Sequence, residues 1–390
     1  MSAPSDTLRS GTLSERLGFR PAVVELGHTH PSVRRVMAGA GGTLSFLVTL
    51  DDDRIEALEV EIGIGHRGFE HEVESRAFAE ALPYVARLGH ASGAIAQVGY
   101  CLALERLAGF VVSPRATWLR TLVCELARIT DHLARIAALA TAVGASDAER
   151  AVQQGEVVAM RLLTAAIGGS PIGPWARPGG VTTDLPVEFG DAWGRARAQL
   201  ELPLARIGAL LLENPTAVQR LCDVAPLSAA DAHALAVTGP CLRAAGVARD
   251  RRRDEPYLAY GEIEFDVAIG EVGDDYDRLA VVVEEIRQSL RIAEQCLLRL
   301  GGADLQWGEV AASLPIPVPA GEVMASIESS TGELGFFLVS DGSGRPRRIR
   351  CRAPSFFHAR ALQTVLVHAR LDDLLPTAAL FHLVSGECDR

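Results

Sequence analysis

The sequence predicts a mainly α chain of α+β type: a long antiparallel helical bundle, preceded by a β-hairpin and followed by a small β-module. Three observations carry this expectation. Between residues 76 and 301, long Ala- and Leu-rich segments place apolar residues at three- and four-residue steps, the helical period. Before them, two β-rich runs at 43–50 and 55–62 flank the turn-forming Asp51, Asp52 and Asp53, which reads as a hairpin. After them, the runs 323–327, 334–339 and 347–351 enclose the turn sequence Asp341-Gly-Ser-Gly344.

The helices are expected near 76–110, 117–144, 147–168, 187–213, 228–236 and 273–301. Gly and Pro cluster in the breaks, at 168–180 and at 314–321, which marks ordered loops or linkers. Four segments follow: an extension and loop at 1–42, the hairpin and a polar motif at 43–75, the bundle at 76–313, and the β-module with a tail at 314–390.

The composition is that of a folded protein, with 48% hydrophobic and 22% charged residues. A mean hydropathy of +0.17 points to a surface partly covered by other subunits. Residues 1–16 hold no apolar stretch of signal-peptide length, and the most apolar segments are interrupted by charge well before the ~20 residues of a membrane span. A cytoplasmic chain without a transmembrane helix is expected. The net charge of −11 argues against nucleic acid as a partner, because phosphate binding needs a basic surface. The seven cysteines include no C-x-x-C pair, the usual signature of zinc or iron-sulfur ligation, and are expected to be packed thiols. No G-x-G-x-x-G fingerprint opens a helix after a strand.

Three constellations carry chemistry. His66, Arg67, Glu70, Glu74 and Arg76 gather an imidazole, guanidiniums and carboxylates where the hairpin meets the bundle; they read as a proton-exchanging cluster or a plain ion-pair network. Glu125, Arg128 and His132 share one face of the helix at 117–144, among apolar neighbours, so charges buried there must be paired. A Gly- and Pro-punctuated loop at 237–256 carries five arginines, Arg243 among them, and either binds carboxylates or is a solvated charge run.

The strings themselves resemble a known family. Gly63-x-x-His66-Arg-Gly-Phe-Glu70, Arg177-Pro-Gly-Gly-Val181, Leu242-Arg-Ala-Ala-Gly-Val247 with Asp250-Arg-Arg252, Glu328-Ser-Ser-Thr-Gly-Glu-Leu-Gly335, Arg352-Ala-Pro-Ser-Phe356 and Asp389-Arg390 occur in the order found in the D subunit, the 49 kDa subunit, of NADH-quinone oxidoreductase (complex I). The resemblance spans about residues 40–390. It implies the fold of the nickel-iron hydrogenase large subunit and a place in the peripheral arm on the cytoplasmic side of the membrane. The partners it implies include an iron-sulfur cluster subunit, a thirty-kilodalton-type subunit and membrane-arm subunits.

It also separates two chemistries. Nickel and iron need two C-x-x-C pairs, and their aligned positions hold Gly89 and Ser92, then Val384 and Glu387, so no nickel-iron centre is expected. The family's quinone contacts are a His-bearing loop, a Tyr and an Asp. These fall on 37–42, which includes Met37 and Gly41, on His90, and on Ala142; a gapped alignment starts the loop at His30 instead. The framework around them survives as His66, Arg67, Glu70, Glu74, Arg87, Glu125, Arg128, His132 and Arg243. The expected function is a complex I-type subunit that forms a quinone-like cavity beside a partner's iron-sulfur cluster and couples electron transfer to proton uptake. In it His90, Arg87, His66 and Glu70 are the cavity candidates. The alternatives are a non-catalytic scaffold in a hydrogenase-related or formate-linked complex, and a hydrogenase-like enzyme with an altered metal site.

Overall fold

The computed structural model describes residues 22–37, 44–302, 305 and 317–390. Strands β1 (Ala22–Leu26), β2 (Ser45–Asp51) and β3 (Arg54–Glu61) form an antiparallel sheet in that order, with the short helix α1 (Pro31–Val36) between the first two. β2 and β3 are the expected hairpin, reversed through Asp52 at φ 58°, a conformation that Asp tolerates. A register shift between Thr49 and Leu50 lets Ile55, Leu58 and Val60 share a buried face with Phe46, Val48 and Leu50. β1 was expected as extension. It is an edge strand with Val23 exposed, so the two-residue alternation that betrays a half-buried strand is weak there.

Helix α2 (Phe69–Glu74) leads into the segment expected as one helix over 76–110, which the structure breaks. A 3-10 turn (Phe78–Ala81), one helical turn (Leu82–Val85) and a second 3-10 turn (Ala86–Leu88) precede an extended Gly89, and only then does α3 (Gly93–Ala108) begin. Pro83, which lacks an amide donor, and the extended glycine account for the interruption. Its effect is to expose Arg87 and His90 on a connection rather than on a regular helix face.

Helix α4 (Pro114–Ala142) is the axis of the molecule. Ser113 caps it by accepting from the Ala116 amide, and Pro114 occupies the first turn, where a missing N–H costs nothing. It spans roughly 40 Å and packs against α5 (Ser146–Ile167), α7 (Asp275–Leu300) and the late helix α9 (Leu374–Phe381). Helix α6 (Phe189–Ile207), which ends in a π-turn, packs outside α5. A two-residue hairpin, β4 (Ala176–Arg177) and β5 (Gly180–Val181), occupies the Arg-Pro-Gly-Gly-Val motif.

The third sheet orders β6 (Gly321–Glu328), β7 (Glu333–Ser340) and β8 (Pro346–Arg352) as antiparallel neighbours. Its inner face lies on α3 at Gly99, where a Cβ would stand 2.8 Å from Ile327 Cδ1, so sheet and helix meet closely. Beyond residue 353 the chain is helical, as α8 (Pro354–Val365), α9 and a turn at Ser385–Cys388, so the expected β-module is confined to Gly321–Arg352. Helix α9 is buried on most sides, which erases the amphipathic period by which helices are read. One continuous hydrophobic cluster joins Val33 of α1 to Leu383 after α9, so the segments share a core. Among the described residues no helix is long and apolar enough to cross a membrane.

Phe336 of β7 is fully buried, edge-on to Tyr100 of α3 with ring centroids 5.7 Å apart. Phe336→Ala is expected to cost about 3–5 kcal/mol, read as a lowered denaturant midpoint at unchanged slope.

Candidate functional site

The interrupted segment before α3 and the last turn of the chain form opposite walls of a cleft. Arg67, Arg87, Leu88, Gly89, His90, Ile172, Val384 and Gly386 line a space of about 220 Å3. A side lobe of about 60 Å3 shares Arg67, Arg87, Leu88 and Gly386 and adds Phe69, Tyr84, Asp389 and Arg390. The walls meet tightly: a Cβ on Gly386 would stand 2.6 Å from the Arg87 carbonyl oxygen and 2.7 Å from that of Leu88. Gly89 and Val384, the positions that the resemblance sets against the first cysteine of each hydrogenase pair, thus face one space. Ser92 and Glu387, the second positions, are buried beside it. Glu387 accepts from the Ser355 amide and hydroxyl and from Thr331, and burial pushes its proton affinity up. Among the described residues no three Cys, His, Asp or Glu side chains converge as metal ligands. Six of the seven cysteines are buried free thiols, and Cys222 is half-buried.

The expected cavity residues separate into two groups. Arg67, Arg87 and His90 lie together at the cleft, and all three are exposed. Glu70 and Glu74 face away from it. Glu70 accepts from the Cys351 amide at 2.8 Å and pairs with Arg350, while Glu74 pairs with Arg348 at 3.0 Å, so α2 is pinned to β8. His66 is exposed on the connection before α2 and is not among the cleft-lining residues. His30 is exposed at the start of α1, and Ala142 is half-buried at the end of α4 and packed against the core. Met37 is buried beside Arg135 and His382. Gly41 lies outside the described residues.

Behind the cleft, α4 carries the second constellation into the protein's interior. Glu125, Arg128 and His132 are all fully buried. Glu125 accepts from Arg252 at 3.1 Å, from Ser289 at 2.6 Å and from the Tyr260 hydroxyl; burial alone would raise its carboxyl, but Arg128, Arg252 and these hydrogen bonds together hold it below the ordinary range. Arg128 also donates to the carbonyls of Glu328 and Ser329. Arg243, in the arginine loop, bridges Glu285 at 2.6 Å and Glu328 at 2.8 Å, and Arg252 pairs with Asp250 at 2.7 Å. The loop at 237–256 is therefore split: Arg243 and Arg252 bind internal carboxylates, while Arg249 and Arg253 are exposed.

A second buried cluster was missed in the sequence. Asp131 accepts from the Ser330 hydroxyl and lies 3.2 Å from His382 Nε2, and Arg135 donates to the Ser330 carbonyl at 2.9 Å and to His382 Nδ1. That pairing assigns His382 its Nε2–H tautomer. Burial raises the proton affinity of Asp131 and of the half-buried Glu156, and the His90 imidazole lies near enough to oppose this at both, so the cleft and this cluster are within electrostatic reach. The signal was present in part: Asp131 and Arg135 continue the 125–128–132 stripe by helical steps. His382 comes from a distant turn, where it adopts φ 52°, and no sequence spacing announces it.

The profile of the family described as "Respiratory-chain NADH dehydrogenase, 49 Kd subunit" matches residues 151–316 and 303–390. The chain is 32% identical to the NADH-quinone oxidoreductase D 2 subunit of Anaeromyxobacter sp. (strain K), over 97% of this chain and 94% of that protein. The chain belongs to this complex I subunit family. The D 1 subunit of Sorangium cellulosum (strain So ce56) is 33% identical, with 96% of each chain covered. The joined C/D subunit of Bdellovibrio bacteriovorus is 34% identical over 90% of this chain and 66% of that longer protein. The family's chain is accordingly one component of an NADH-quinone oxidoreductase-type complex.

His132 sets a pH dependence. Its Nε2 lies 2.8 Å from Glu285, its Nδ1 meets no acceptor among the described residues, and burial with Arg135 and Arg128 nearby lowers its pKa to about 4. The unfolded chain takes up this proton near pH 6.5 and the folded chain resists until about 4, so stability falls as pH drops through that window, by up to about 3 kcal/mol. Urea unfolding at pH 7, 5.5 and 4.5 is expected to show a shallower loss in His132→Gln than in the parent; equal slopes would exclude His132 as the source.

Proposed function

We propose that this complex I-family chain forms one wall of a ligand cavity beside an iron-sulfur cluster held by a neighbouring subunit of the peripheral arm, and that it couples electron arrival there to proton uptake. The observation that carries this reading is the joining of Arg87 and His90 with Gly89, Val384 and Gly386 around one cleft, electrostatically coupled to the buried Asp131. A quinone supplies the acceptor chemistry when bound in such a cavity. The residues present fit its polar end in part: the Arg87 guanidinium and the His90 imidazole can donate hydrogen bonds to a carbonyl oxygen, and imidazole can exchange a proton near neutral pH. Met37 and Ala142 offer no polar contact, so the binding role falls to His90 and Arg87. Asp131 would be the buried carboxylate nearest to receive a proton from that side. Partners would include a thirty-kilodalton-type subunit, as the joined C/D relative suggests, and membrane-arm subunits would place the chain on the cytoplasmic side.

A second reading, a scaffold that joins peripheral and membrane arms, is favoured by the same loss of polar groups at Met37 and Ala142. The native complex, purified through a tag on this chain, separates them. Inhibitor-sensitive quinone reduction driven by NADH, formate or hydrogen is expected, and His90→Ala should lower it by about 10²-fold if the imidazole acts as acid or base. A stable complex that reduces no quinone with any donor would support the scaffold and overturn the cavity reading.

A further inference from the structure

We infer that Asp389 is a positioning residue for the cleft: its carboxylate ties the connection that carries Arg67 to the turn that forms one wall. The inference deepens the cavity reading above and rests on it for its effect on the reaction. Asp389 is 8% exposed and follows the turn at Ser385–Cys388, with its own amide bonded to the Ser385 carbonyl at 2.7 Å. That turn is a fixed base, because the buried Glu387 accepts from Ser355 and Thr331. From it the two Asp389 oxygens reach two different amides, Gly63 at 2.6 Å and Gly65 at 2.9 Å. Amides that converge in this way form a concavity for negative charge, and a carboxylate seated there makes charge-assisted hydrogen bonds. A side-chain amide of the same shape could keep only one of the two, since its nitrogen donates and would face an N–H.

The receiving strand of chain is shaped for this contact. Gly63 sits at φ 93°, which favours glycine, and a Cβ on Gly65 would stand 2.6 Å from Asp389 Oδ2. Residues 63–67 are exposed. Among the described residues no other hydrogen bond joins 63–68 to a distant segment: His66 bonds back to Gly63, and Gly68 accepts from Glu72 at the start of α2. Without Asp389 the connection is held only at its ends, by β3 and α2. Arg67 lies two residues beyond Gly65 and lines both the cleft and its side lobe, and Asp389 lines the lobe. On the same turn Gly386 stands against the Arg87 and Leu88 carbonyls. The short segment 386–389 thus sets the backbones that carry Arg67 and Arg87, and Asp389 acts through Arg67 rather than on a ligand.

Asp389→Asn and Gly65→Ala attack the contact from its two sides. In the full chain, hydrogen exchange of the amides in a peptide spanning 62–68 is expected to quicken about tenfold in each, at unchanged circular dichroism. In the native complex, each should raise the KM for a short-chain ubiquinone about three- to tenfold and change kcat less than about twofold. The double variant should be no worse than the more severe single one, because both break one contact. In an Arg67→Gln background, Asp389→Asn should add less than about twofold. Unchanged exchange overturns the inference, as does a lowered melting midpoint with KM unaltered, which would make Asp389 merely structural. Effects that add in either double variant, or release of the chain from the complex, overturn it as well. Quickened exchange in the chain, with a parent complex that reduces no quinone, would leave the Asp389 tie standing and the cavity reading fallen; quinone reduction with exchange and KM unmoved by the variants would do the opposite.

Discussion

Around α4 a set of buried ion pairs governs how the remaining elements can be placed. Arg128, Arg243 and Arg252 are buried with Glu125, Asp250, Glu285 and Glu328, all of them nearly or fully inaccessible to water. Removing one partner from such a set leaves an uncompensated interior charge, at a cost of about 3–5 kcal/mol. The charges also come close to balancing. Asp250, Glu125 and Glu285 are held below the ordinary carboxyl range by the arginines, whereas burial beside Asp250 raises Glu328 despite its contact with Arg243. Three guanidiniums thus face three firmly ionised carboxylates and one that keeps its proton more readily.

This network joins segments that are remote in sequence. Glu125 and Arg128 belong to α4, Glu285 and Ser289 to α7, Arg243, Asp250 and Arg252 to the loop between bundle helices, and Glu328 to the end of β6. The carboxyl-terminal sheet is held on the bundle by these contacts as well as by the apolar seam at Gly99. Because every member is engaged, the network is a rigid partition. The cleft lies beyond it, built from a broken helix and a terminal turn, with the Asp131, Arg135 and His382 cluster between.

The same contrast explains what sequence reasoning could reach. The stripe Glu125, Arg128 and His132 was legible because helical spacing forces residues three and four apart onto one face. The hairpin, the long helices and the sheet of β6 to β8 were legible because their apolar periods and turn residues are local. The role of Glu70 and Glu74 was not: the same two carboxylates serve a proton-exchanging cluster or an ion pair equally well in one dimension, and only the arrival of β8, with Arg348, Arg350 and the Cys351 amide, decides for a structural tie. Helix α9 was invisible for the opposite reason, since a segment buried on most sides carries no amphipathic signal.

Residue type and order were enough to establish the family, most of the helices and strands and the absence of C-x-x-C pairs, and to single out Arg87 and His90. Folding in three dimensions was needed to bring Gly89 and Val384 to one space and to seat His382 between Asp131 and Arg135. It also turned Arg243 and Arg252 inward while leaving Arg67 and Arg87 open. Each of these outcomes pairs residues from distant segments, or depends on whether a charge finds a partner. No local pattern records such a pairing, because it follows from how the chain closes on itself.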